Sequence, residues 1–235
     1  MSVAGDLERA GISIQDRFVS AAAAGDLREC AILRETRGDF AAARIGGGGT
    51  EQRLERIRGD FTCWLQQPLL PPESALLEQM EALRLQLNRD ALLALFELEL
   101  HYAKYPPGAG YARHLDQPRG SVMRKVSVVL YLNCDWQDTD GGELRIHQDD
   151  GSYIDVRPVE GRLVCFLTAD REHEVLTARR ERLSISGIAS ERPSASSLCK
   201  AGRSASARAA VRVSSAMRRR SSRAMAPASW TRALP

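Results

Sequence analysis

The chain has 235 residues, 43% of them hydrophobic, with a formal net charge of +3. This length suffices for one sizeable core or two small ones, and no apolar run approaches the roughly 20 residues a membrane-spanning helix needs. The charge is unevenly spread: residues 188–235 hold nine Arg, one Lys and one Glu, a net of +9, which leaves −6 for residues 1–187 and gives the body no electrostatic reason to bind nucleic acid.

The first residues, MSVAGDLERAGISIQDRF, lack the basic and then apolar segments of a signal peptide. The five cysteines (Cys30, Cys63, Cys134, Cys165 and Cys199) are odd in number, scattered and free of any CxxC pair. They read as buried apolar residues rather than a disulfide framework, and the expected compartment is the reducing cytoplasm. Residues 3–44 are predicted mainly helical, through SIQDRFVSAAAA and DLRECAILRETRGDFAAA, with Asp26 as an N-cap. GGGGT (residues 46–50) reads as a flexible loop, and FTCWL (Phe61 to Leu65) as a short strand. Pro71 and Pro72 then introduce a long helix with Leu, Met and Ala at helical spacing.

From about Phe96 the apolar period changes to two. Strands are predicted at FELELHYAKY, KVSVVLYLN, GELRIHQ, SYIDVRP, RLVCFLT, HEVL and RLSIS, separated by the turn signals PPGAG, DTDGG, DDGS and VEGR. Many short strands after a helical section suggest helices packed on a β-sandwich or jelly roll. One domain over residues 1–187 is expected, helical to about residue 95 and jelly-roll from about 96. Residues 188–235, with eleven Ser, twelve Ala and nine Arg, cannot bury enough apolar surface to offset chain entropy and are predicted disordered.

Three features carry chemistry. In GYARHLDQP, His114 and Asp116 are two apart in an extended segment, so both point to one face and can share a cation; alone, such a pair is more often a surface pair. His173 follows Asp116 by 57 residues, and beside Glu172 and Glu174 it would by itself read as a solvated His. Two His and one carboxylate on separate strands of a jelly roll make the facial triad of non-haem Fe(II) sites. Arg182 lies nine residues beyond His173 and offers a planar fork matched to a carboxylate. Ser186, four residues on, shares its strand face. An Arg aimed into an apolar barrel is costly unless it meets an anion.

The chain here resembles the Fe(II)/2-oxoglutarate-dependent dioxygenases, specifically the prolyl 4-hydroxylase-like branch that includes the hypoxia-sensing (SM-20-type) prolyl hydroxylases. The resemblance runs from about Ile57 to Gly187 and rests on IRGDFTCW, YPPGAGYARHLDQP, VVLYLNCDW, GGELRI and HEVLTARRERLSISG. It implies an α+β double-stranded β-helix with N-terminal helices packed on one sheet. It also implies Fe(II) held by His114, Asp116 and His173, with Arg182 on the distal carboxylate of 2-oxoglutarate. Tyr131 would assist Arg182, with Ser186 nearby, Tyr105 close to metal and co-substrate, and Leu144 as an apolar wall. The implied activity consumes O2, releases succinate and CO2 and hydroxylates an unactivated C–H, with ascorbate as reductant. A proline-containing protein or peptide is the implied substrate. GGGGTEQRLERIRGD resembles a loop that closes over the peptide in this branch, with Arg58 and Asp60 at its end and Asp60 expected to pair with Arg124; two unrelated surface charges are the other reading of that pair. Trp64 and Trp136 read as packing residues, and His101 and His147 as structural or surface residues.

After Gly187 the resemblance stops: Ile188 stands where the family has a Trp, and nothing matches from Ala189 onward. A shift of reading frame near Gly187 would produce such a break, and a genuine basic tail that binds nucleic acid or an acidic partner is the alternative. Two further functional readings stay open: a non-catalytic binding module or impaired pseudoenzyme, and a hydroxylase of a free amino acid or small molecule.

Overall fold

The period-two strands lie between two apolar layers. In chain order the elements are α1 (Val3–Ala10), β1 (Ile12–Gln15), α2 (Ala21–Thr36), β2 (Ala41–Ala42), β3 (Phe61–Trp64), α3 (Pro71–Asp90), β4 (Leu95–Tyr105), β5 (Tyr111–His114), β6 (Arg124–Tyr131), β7 (Leu144–His147), β8 (Tyr153–Val156), β9 (Leu163–Leu167), β10 (His173–Val175) and β11 (Arg182–Glu191). The structure is a computed structural model and describes residues 2–43, 57–116, 124–169 and 171–191. The expected loop at 46–50 and the tail beyond residue 191 lie outside these. The strands form two sheets, ordered β1-β9-β6-β11-β4-β3-β2 and β5-β10-β7-β8. This is the expected double-stranded β-helix.

β11 is the central strand of the larger sheet. It pairs antiparallel with β4 from Arg182↔Tyr105 onward and with β6 from Ser184↔Tyr131 onward. Alternation along it separates two cores. Leu183, Ile185 and Ala189 join Leu100, Tyr102, Val126, Val128 and Leu130 beneath the helices. Arg182, Ser184, Ser186 and Ile188 point the other way, towards the smaller sheet. There Tyr131, Leu144, Ile146, Val156, Val164 and Phe166 form the inner core. The strand passes the boundary drawn after Gly187 by four residues, because Ile188 to Glu191 still find partners on β4.

The helices are set by their ends. Ser2 caps α1 by accepting the Gly5 N–H, and Ser20 caps α2 by accepting the Ala23 N–H. The expected cap, Asp26, lies inside α2 instead. Pro71 opens α3, where Glu73 accepts the Leu70 N–H at 2.9 Å. Glu73 is fully buried and takes both oxygens to Arg34 of α2, at 2.5 and 2.6 Å, with the Tyr102 hydroxyl at 3.2 Å. This pair ties both helices to β4. The predicted helix over SIQDRF is also replaced: Ile12–Gln15 is an edge strand on β9. Gly11, left-handed at φ 68°, ends α1 immediately before it. Pairing with β9 lets Ile12 enter the inner core, and this tertiary contact outweighs local helical spacing.

At Gly187, β11 passes close to β4: a Cβ there would lie 2.1 Å from the Glu99 carbonyl oxygen and 2.5 Å from Leu100 Cδ2. Replacing Gly187 by Ala is expected to destabilise the chain by about 1–3 kcal/mol through overpacking, read as a lower urea midpoint at unchanged slope.

Candidate active site

His114 ends β5, Asp116 follows it, and His173 opens β10 directly opposite His114 in the ladder. Their ligand atoms all lie within 4.8 Å of one another, and among the described residues no other group of three His, Cys, Asp or Glu converges so. Asp116 Oδ1 is 3.7 Å from His114 Nε2, and Oδ2 is 3.6 Å from His173 Nε2. Each imidazole is oriented from behind. Its Nδ1–H donates to a backbone carbonyl, Ala112 at 2.8 Å for His114 and Arg171 at 3.0 Å for His173. That hydrogen bond fixes the tautomer and leaves both Nε2 lone pairs facing the carboxylate. Burial works to raise the Asp116 pKa, but the neighbouring His114 and His173 and the Ser127 hydroxyl prevail and hold it well below the usual carboxylate range. Burial lowers that of His173. Two neutral imidazoles and an ionised carboxylate are the donor set a divalent iron needs.

A β-bulge shapes one wall. Opposite two steps of β10, from His173 to Val175, β5 spends three, from His114 back to Tyr111. The extra residue brings Tyr111 to the face of His114, and the rings stack at 3.6 Å. Arg58 lies over the Tyr111 ring, 4.8 Å from its centroid, and grips buried Asp60 through two bonds of 2.7 and 3.1 Å. Asp60 therefore does not pair with Arg124 as expected. Arg58 is only two residues away, and the Arg124 guanidinium instead holds the Asp116 carbonyl oxygen at 2.5 Å. A cleft of about 610 Å³ opens beside Tyr111, lined also by Arg58, Asp60, Pro106, Val175 and Thr177.

The other wall is built around Arg182, which is 1% exposed. Its Nε donates to the Gly142 carbonyl at 2.9 Å, and its guanidinium carbon lies 5.1 Å from the centroids of both Tyr105 and Tyr131. Among the described residues no carboxylate pairs with it. The Tyr131 hydroxyl is buried and has no hydrogen-bond partner among the described residues. Gly141 and Gly142 supply the close approach: both have positive φ, 69° and 72°, and a Cβ on Gly142 would press Ala178 Cβ at 2.9 Å and Arg182 Cδ at 3.4 Å. Leu144 is buried beside Ile146 and Phe166 as the apolar wall, and Phe166 meets the His173 ring edge-on at 4.7 Å. Ser186 lies on the same strand face, its hydroxyl 3.3 Å from that of Ser184. A buried cation and an orphaned hydroxyl, separated from a His/Asp/His cluster by an apolar lining, fit a dicarboxylate that reaches from Arg182 to a metal.

Tyr111 and Ser127 belong to this site although sequence spacing does not signal them. His101, read as a structural or surface residue, is on the site face of β4 opposite Ser186, with its ring against Trp64 at 4.8 Å and its Nδ1 buried and unpartnered. His147 matches its reading: its Nε2 meets the Glu174 carboxylate at 3.0 Å. Trp136 packs with its N–H on the Gly141 carbonyl.

Burial, with a smaller contribution from the Arg58 charge, pushes the His101 pKa down to about 4. The fold thus accepts only neutral His101, whereas the unfolded chain takes up a proton near pH 6.5. Its contribution to stability is complete above pH 6.5 and is lost progressively as pH falls towards 4. His101→Leu is expected to flatten the acid limb of a stability–pH profile measured by urea unfolding.

The pattern of the 2OG-Fe(II) oxygenase superfamily matches residues 100–189, which include His114, Asp116, Tyr131, His173 and Arg182. A Pseudomonas putida prolyl-4-hydroxylase structure is 41% identical, with a TM-score of 0.74, over 81% of this chain and 97% of its own. A Trichoplax adhaerens prolyl hydroxylase, solved with a hypoxia inducible factor oxygen degradation domain peptide, shares the fold at a TM-score of 0.74 and 24% identity, over 80% of this chain and 87% of its own. Human Egl nine homolog 1 is 28% identical over 189 residues, 76% of this chain but 43% of the human protein. Prolyl hydroxylase EGLN3 of Mus musculus is 28% identical over 185 residues, 72% of this chain and 74% of its own length.

Proposed function

Because the chain belongs to the prolyl 4-hydroxylase-like branch of the 2OG-Fe(II) oxygenases, and so is a 2-oxoglutarate-dependent dioxygenase, we propose that it hydroxylates a prolyl residue of a protein or peptide. The observation that carries this reading is the 41% identity to a prolyl-4-hydroxylase across 97% of that chain, joined to a cleft that begins at Tyr111, in contact with His114. When bound, Fe(II) with 2-oxoglutarate and O2 supplies the oxidation, converting 2-oxoglutarate to succinate and CO2 as a C–H becomes C–OH. Ascorbate serves as the reductant that keeps iron divalent.

The protein's own part is positioning. His114, Asp116 and His173 would hold the metal and leave its remaining positions to co-substrate and O2. Arg182 receives the distal carboxylate in a charge-assisted fork, and Tyr131 donates its otherwise unused hydroxyl proton to the same group. Tyr105 and Leu144 close the space around the co-substrate and exclude water, which strengthens each of these contacts. The peptide lies in the cleft beside Tyr111, with Arg58 and Asp60 fixing that wall. The four described cysteines are free thiols, in keeping with a reducing compartment, and we place the enzyme in the cytoplasm. Among the described residues no helix is long and apolar enough to cross a membrane.

Three outcomes test this reading. His173→Ala and Asp116→Ala are expected to abolish 2-oxoglutarate-dependent succinate release; normal turnover in either would remove the triad assignment. Arg182→Lys, which keeps the charge but loses the fork, is expected to raise the 2-oxoglutarate KM at least tenfold, as about 1.5–3 kcal/mol is at stake in a hydrogen bond to a charged group. Mass spectrometry of proline-containing peptides against free proline, seeking a gain of one oxygen, identifies the substrate class. Exclusive oxidation of free proline would overturn the peptide assignment.

A further inference from the structure

Asp116 is the least supported of the three metal-site residues. It lies beyond the end of β5, outside the ladders of the described strands. Two side chains of β6 reach it. The Arg124 guanidinium donates to its main-chain carbonyl at 2.5 Å, and the Ser127 hydroxyl donates to Oδ2, also at 2.5 Å. Ser127 is 1% exposed and sits between Ile188 of β11 and Phe166 of β9 in the ladder. A hydroxyl in that apolar setting costs free energy unless it is hydrogen-bonded. Among the described residues the Asp116 carboxylate is its side-chain partner.

The bond distinguishes the two carboxylate oxygens. Oδ2 accepts the Ser127 proton, whereas Oδ1 faces His114 Nε2 at 3.7 Å, beyond hydrogen-bonding distance. A carboxylate free to rotate presents either oxygen, or both, to a cation. One held by a strong donor on Oδ2 presents Oδ1. Resting on the metal-triad assignment above, we propose that Ser127 is a positioning residue: its hydroxyl locks the Asp116 carboxylate so that Oδ1 is a single-oxygen metal ligand, leaving the remaining positions for co-substrate and O2. Groups that orient metal ligands in this way typically contribute 10–100-fold to metal affinity.

Thr and Val at position 127 are close in shape, both β-branched and suited to a strand, and differ by the hydroxyl. The test is Mn(II) affinity of the full chain by calorimetry, with the Co(II) ligand-field spectrum as a second readout and circular dichroism to verify folding. Ser127→Thr is expected to bind Mn(II) within twofold of the wild type. Ser127→Val is expected to bind it at least tenfold more weakly and to shift the Co(II) bands. Val binding within twofold of the wild type, or Thr binding as weakly as Val, would overturn the proposal. His173→Ala is run alongside. If it binds Mn(II) as the wild type does, the triad assignment falls and the Ser127 role with it; if it loses binding while Val retains it, only the Ser127 role falls.

Discussion

The structure is organised around a cation inside a barrel. Arg182 is almost fully enclosed, and among the described residues no carboxylate neutralises it. Leaving a guanidinium in that state would cost several kcal/mol if nothing compensated. Partial compensation comes from the Gly142 carbonyl and from the faces of Tyr105 and Tyr131. An anion bound there, such as the small dicarboxylate of the proposed function, would supply the remainder. Affinity for the co-substrate and integrity of the interior are thereby linked.

One strand supplies the means. β11 alternates between two environments, with Leu183, Ile185 and Ala189 under the helices and Arg182, Ser184, Ser186 and Ile188 towards the smaller sheet. The helices do not touch the chemistry, yet they brace the strand that carries it. The buried Arg34–Glu73 pair, with Tyr102, joins α2, α3 and β4 behind that strand. His114 and His173 come instead from the smaller sheet, so the site is a seam: Arg182 on one sheet, the histidines on the other.

Much of this was legible in the sequence. The change of apolar period near Phe96, the His-x-Asp pair, His173 and Arg182 define the sheet section and the site, since alternation and spacing are local properties that survive folding. What escaped depends on tertiary contact. Ile12–Gln15 is a strand only because β9 is there to pair with it. Tyr111 reaches His114 only because a bulge adds a residue to β5, and three-residue spacing in a regular strand puts side chains on opposite faces. Asp60 pairs with Arg58 rather than Arg124 because the nearer partner wins. His101 looked unattached because its neighbours, Trp64 and Ser186, come from different strands. The end of the resemblance at Gly187 did not coincide with the end of the strand, since main-chain pairing needs no particular side chains.

The central position of β11 has a consequence for how the chain acquires its shape. It is the last described strand in sequence, yet it lies between β6 and β4. Until it is synthesised, β1-β9-β6 and β4-β3-β2 are two separate half-sheets, each with an unpaired inner edge open to unwanted partners. The connections that close them span most of the domain, a topology that folds slowly. Closure of the larger sheet on the ribosome therefore waits for residues 182–190, and a nascent chain stopped short of them would carry the strands of the smaller sheet, with His114 and His173, but neither Arg182 nor a closed larger sheet to pack against.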